Sequence, residues 1–165
     1  MSILSSKWMI GLGILLLILI VVYAVGRKSA HAEIMIPATK EKIWNVLTDA
    51  SAVKEWNTIL IPLEGTYAEG NKIKYEFRQE GKEPAIMDAT VAKMLKEELL
   101  NQKGGLPLVI TFDHKYMLEE VEGGTKLTIH EEYRGLMVPF WDPSGVEKAY
   151  AKLADALKKR VTEIK

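Results

Sequence analysis

The chain has 165 residues, 48% of them hydrophobic and 27% charged, which is enough apolar surface for one domain with a real core. Its 22 basic and 22 acidic residues cancel, and no basic stripe with interleaved aromatics is present, which disfavours a nucleic-acid partner. The absence of cysteine excludes disulfides, thiol nucleophiles and thiolate metal sites, and leaves the redox compartment open.

Trp8 to Val25 is an uncharged apolar run of 18 residues. As a helix it spans about 27 Å, close to the hydrocarbon thickness of a bilayer of about 30 Å. Lys7 and Trp8 at one end, and Tyr23, Arg27 and Lys28 at the other, suit interfacial anchoring. These features predict a single-pass membrane anchor. A cleaved signal peptide is the alternative, since Ala30-His31-Ala32 has the small-x-small pattern of a cleavage site. The length of the run and the positive charge of Arg27 and Lys28 count against cleavage. Lys7 precedes the run while Arg27, Lys28, Lys40 and Lys42 follow it, a bias toward a cytoplasmic C-terminal domain that the length of that domain weakens. The expected organisation is an anchor and linker over residues 1–31 and a folded domain over 32–165.

Ala32 to Ile36 reads as a short strand stopped by Pro37. Thr39 can cap a helix in which Glu41 suits the dipole and Ile43, Trp44, Val46 and Leu47 form the buried side. A second helical turn over Val53–Trp56 follows. From Ile59 to Gly135 the chain alternates as five or six strands, with turns expected at Glu69-Gly70-Asn71, Glu80-Gly81-Lys82, Lys103-Gly104-Gly105 and Gly123-Gly124.

The last hairpin carries the sharpest expectation. With Gly123-Gly124 as a two-residue turn, Glu122 pairs with Thr125, Asp113 with Arg134 and Lys115 with Glu132. These charges mark the wet face. The other face then carries Phe112, His114, Tyr116 and Leu118 beside Ile129, Glu131 and Tyr133, with Tyr116 opposite Glu131 and His114 opposite Tyr133. A carboxyl group sharing an apolar interior with imidazole and phenol can orient a ligand, act as an acid–base group, or satisfy its neighbours structurally. The apolar loop Leu136–Trp141 either covers one end of this interior or is a portal facing a bilayer. Asp142 to Lys165 is a long amphipathic helix whose stripe of Val146, Ala149, Tyr150, Leu153, Ala156, Leu157, Val161 and Ile164 needs a sheet to bury it. The fold class is therefore α+β, a curved antiparallel sheet around a C-terminal helix.

The order IMIPATKEKIWNVLTDASAVKEWN, Gly-marked strands, GGTKLTIHEEYRG and terminal helix resembles the START-like or SRPBCC (helix-grip) superfamily, in particular its polyketide cyclase/dehydratase-type branch. The resemblance implies a sheet wrapped round the last helix, enclosing an elongated cavity for a hydrophobic small molecule. Tyr75, Phe77, Phe112, His114, Tyr116, Ile129, Glu131, Tyr133 and Tyr150 are the expected lining, with a lipid-like ligand and the membrane as partners. The alternative is a cyclase/dehydratase- or hydrolase-type enzyme using Glu131 and His114 as base and acid. The sequence has no phosphate loop, no HExxH and no dinucleotide glycine pattern in the right context, so no cofactor is expected. Asp113, His130 and Glu132 point away from His114 and Glu131, which argues against a metal site.

Overall fold

The computed structural model describes residues 3–164. Helix α1 spans Ile3–Val25, and its apolar run is exposed on every side. Strand β1 (Arg27–Ile36) follows at once. Helices α2 (Lys40–Thr48) and α3 (Val53–Trp56) come next, then strands β2 (Leu60–Glu64), β3 (Lys72–Phe77), β4 (Ala85–Leu95), β5 (Leu99–Leu106), β6 (Ile110–Val121) and β7 (Gly124–Arg134). A 3-10 turn over Val138–Phe140 leads into helix α4 (Ser144–Glu163). The seven strands form one antiparallel sheet in the order β1-β7-β6-β5-β4-β3-β2.

Helix α4 lies against the inner face of this sheet, chiefly on β1, and also touches α2 and α3. Val146, Ala149, Tyr150, Leu153, Ala154, Leu157 and Val161 are its buried residues. Their three- and four-residue spacing puts them on one side, as burial against a sheet requires. Helix α2 begins where Thr39 accepts a hydrogen bond from the Lys42 amide (3.3 Å), and it buries Ile43, Trp44 and Leu47. Asn57 closes the step from α3 into β2. Its side chain accepts from the amides of Ile59 and Leu60 and donates to the Leu60 carbonyl, all within 3.0 Å and out of water. Asn57→Ala strands three backbone groups there and is expected to lower stability by about 1–3 kcal/mol, measurable as a shift of the urea midpoint at unchanged slope. An unchanged midpoint would mean water replaces the amide without penalty.

Three local expectations are corrected. The strand begins at Arg27 instead of Ala32, so the residues read as a linker are sheet: Arg27 pairs with Arg134, and Ala30, opposite Glu131, has no exposed surface. Small inward alanines, which leave room for α4, do not look like a strand core. Lys103-Gly104-Gly105 lies within β5, and the chain turns at residues 107–109 instead. Gly104 is needed because a Cβ there would overlap the Asp88 carbonyl and the Phe112 ring.

The β6–β7 register is displaced by two residues from the expected one. Glu122 and Gly123 form the loop and Val121 pairs with Gly124, so Asp113 stands opposite Glu132 and Lys115 opposite His130. The two glycines have separate tasks. Gly123 takes the left-handed turn (φ 87°), while Gly124 is a strand residue (φ 148°) whose Cβ would collide with the Ile36 carbonyl of β1. A displacement of two keeps every side chain on its expected face. On the wet face partial burial works against ionisation of Asp113, but hydrogen bonds from Lys103 and Asn101 hold its carboxyl below the usual range.

Candidate functional site

β6 and β7 bring the interior polar groups together by pairing. His114 lies directly opposite Glu131, not opposite Tyr133 as the expected register had it, and Tyr116 lies opposite Ile129. Phe112 pairs with Tyr133 at the half-buried end of the ladder. From α4, Tyr150 reaches across to the same carboxyl group. The phenols of Tyr133 and Tyr150 both donate short hydrogen bonds to Glu131 Oε2. Glu131 is 2% exposed, which explains why it has gathered two donors.

His114 is the anomaly of this cluster. Its ring is 2% exposed and meets Tyr116 and Tyr150 edge-on, at centroid distances of 4.6 and 5.1 Å. Nδ1 is 3.8 Å from Glu131 Oε2, too far for a hydrogen bond. Among the described residues neither ring nitrogen has a hydrogen-bond partner. An imidazole always carries at least one N–H, and leaving it unpaired in the interior costs about 1–3 kcal/mol.

A second strand pair extends the polar belt. Gln102 of β5 stands opposite His114 and donates to the Tyr75 hydroxyl (2.6 Å) on β3. Tyr67, in the loop before β3, adjoins Tyr75, and burial pushes its phenol up to about 12. Burial likewise drives the phenols of Tyr75, Tyr116, Tyr133 and Tyr150 well above the ordinary value; the Glu131 charge adds to it for Tyr133 and Tyr150, and Tyr67 for Tyr75 and Tyr116.

Of the residues expected to line a cavity, His114, Tyr116, Glu131, Tyr133 and Tyr150 converge and Ile129 packs among them without exposed surface. Tyr75 joins through Gln102. Phe77, at the end of β3, meets Tyr150 at 6.2 Å, and Phe112 stays at the rim. The converging side chains are buried between sheet and helix. A surface cleft of about 480 Å³ is lined by Ile59, Arg78, Gln79, Lys148, Ala149 and Lys152, and none of the converging side chains lines it. Gln102 escaped the sequence reading because the misplaced turn at Lys103 hid its strand. Its one available signal was alternation with Leu100. Asp113, His130 and Glu132 lie on the outer face, and among the described residues no three His, Cys, Asp or Glu side chains assemble as a metal-binding group.

The fold has counterparts among solved structures. A Chromobacterium violaceum protein superposes with a TM-score of 0.68 at 14% identity, covering 82% of this chain and 98% of its own. A Rhodobacter sphaeroides protein gives 0.68 at 15% identity, covering 83% and 93%. Norcoclaurine synthase from Thalictrum flavum, in complex with dopamine and hydroxybenzaldehyde, gives 0.64 at 20% identity, covering 84% and 88%. At these identities the likeness is one of fold, the helix-grip fold. No curated protein matches the chain significantly. The family described as "Polyketide cyclase / dehydrase and lipid transport" matches residues 27–162, from the first residue of β1 to the penultimate residue of α4, and the chain belongs to that family.

Proposed function

We propose that the domain binds a hydrophobic, lipid-like small molecule between sheet and α4, with a single polar group of that ligand set against His114 and Glu131. The observation that carries this reading is the buried imidazole with neither nitrogen paired, beside a carboxyl group and among buried phenol rings, that of Tyr150 giving its own hydrogen bond to Glu131. A ligand hydroxyl or carbonyl would recover that lost hydrogen bond, and apolar burial would supply affinity. The tyrosine rings are buried at this point, so a ligand entering there would turn them aside. The family's description, which includes lipid transport, and the helix-grip fold support the same reading.

Residues Lys7–Val25, of mean hydropathy 2.8 and unburied by the domain, would hold the protein in a membrane. Against removal as a signal peptide stands the position of Ala30-His31-Ala32 in the middle of β1, paired with Glu131, His130 and Ile129. Cleavage there would cut the strand on which α4 rests. The basic residues after α1 favour the cytoplasmic side for the domain.

The 3.8 Å approach of His114 to Glu131, flanked by phenols, favours a second reading as an acid–base pair of a cyclase/dehydratase- or hydrolase-type enzyme. Glu131→Gln separates the two. In a carrier, solvent extracts of the purified full chain contain the same small molecule for wild type and variant, with affinity lowered about tenfold or less. In an enzyme the variant retains ligand while turnover falls about 10²–10⁴-fold. Extracts without any recurrent small molecule, from protein that also binds no apolar fluorescent probe, would overturn both.

A further inference from the structure

The domain carries an apolar tip formed by two loops. At the β5–β6 turn, Leu108 is 65% exposed, with Leu106 and Val109 beside it; in the loop before α4, Phe140 is 77% exposed, with Met137 beside it. The loops are joined by main-chain hydrogen bonds from Leu136 to Leu108 (2.9 Å) and from Met137 to Val109 (3.1 Å). Water gives no reason to display this surface. Leu108 moreover holds a left-handed backbone (φ 66°), a conformation a branched, bulky residue rarely takes. Strain spent on presenting a leucine to solvent points to a surface in use.

The position of the tip says what covers it. Gly135, which opens the second loop, donates to the carbonyl of Gly26 (3.1 Å), and Gly26 is the residue next to the last one of α1. Lys28 donates from Nζ to the carbonyls of Pro139 (3.2 Å) and Trp141, tying the loop to the start of β1. The tip is therefore fastened to the point where the apolar helix leaves the domain. We propose that this paired-loop tip is a second membrane contact, seated at the boundary of headgroups and acyl chains beside the end of α1. The proposal rests on reading α1 as a membrane span. It adds a role for the tip: the loop that meets lipid on its outside also packs Trp141 on Tyr133 (4.6 Å), and Tyr133 is bonded to Glu131. Lipid contact and the interior polar cluster are thus two sides of one loop.

The chain contains no cysteine, so single labels need no background removal. Spin labels at Leu108→Cys and Phe140→Cys are compared with Leu16→Cys in α1 and Glu122→Cys at the far end of β6, using the full chain in vesicles of phosphatidylcholine with a minor share of phosphatidylglycerol. Expected is a loss of collision with a water-soluble nickel chelate and a gain with oxygen at Leu108 and Phe140, as at Leu16, while Glu122 stays open to nickel. Nickel access at Leu108 and Phe140 with Leu16 shielded would place the tip in water and overturn the contact while sparing the anchor. Shielding from both reagents would mean protein, such as a second copy, covers the tip, and would overturn it equally. Nickel access at Leu16 would remove the anchor and this proposal together.

Discussion

Alkali is expected to unfold this domain within about one to two pH units above the ordinary tyrosine value of about 10. Tyr75, Tyr116, Tyr133 and Tyr150 are all buried, and their phenols are held well above that value, first by burial. Because their folded values exceed their unfolded ones, the stability they confer is complete below about pH 10 and is lost as the pH rises toward the folded values. Each such phenol removes about 1.4 kcal/mol per pH unit in that window, so four remove about 5 kcal/mol per unit from a total that is typically 5–15. Tyrosinate absorbance and near-ultraviolet circular dichroism, followed together, should change in one cooperative step. If the tyrosinate band reached full amplitude near pH 10 with the dichroism intact, the phenols would be open to solvent and the interior would not be the closed tyrosine cluster between sheet and α4.

Leu153→Ala is expected to have the largest effect of any single truncation on the grip helix, lowering stability by about 2–5 kcal/mol. Leu153 has no exposed surface and sits midway along the buried stripe of α4, between Tyr150 and Leu157. Its removal leaves a hole that helix and sheet cannot both close. Lys152, the preceding residue, points to solvent and pairs with Glu80 (2.6 Å). Lys152→Ala should leave the urea midpoint where it was. Equal responses from the two neighbours would mean that α4 does not pack on the sheet through the stripe that holds Leu153.

Much of this architecture can be read from the chain before any coordinates. The stripe of α4 is legible because burial on one side imposes a 3.6-residue rhythm that survives local detail. The inward set on β6 and β7 is legible because face depends only on odd or even position, and for that reason it withstands the two-residue error in register. Partners do not share this protection. His114 against Glu131 depends on which of two adjacent glycines turns the chain, and that depends on the Ile36 carbonyl of a strand distant in sequence. The β4–β5 turn was hidden for another reason: Glu97, not a glycine, adopts the left-handed backbone there (φ 63°). Tyr150 as a second donor to Glu131 is a purely tertiary fact. Rhythm reveals its burial but not what it reaches.

The junction between α1 and β1 has a mechanical consequence. A single residue, Gly26, separates them, and it is itself clasped to Gly135 of the loop before α4. There is thus no slack. A domain hung on a long tether samples a wide hemisphere and can touch a facing surface, with a reach that grows with the length of its leash. This one stands on a stiff stem, and any tilt or twist of the stem acts on β1 as torque on a lever. Since β1 carries α4, the proposed membrane span and the grip helix are coupled through one peptide unit.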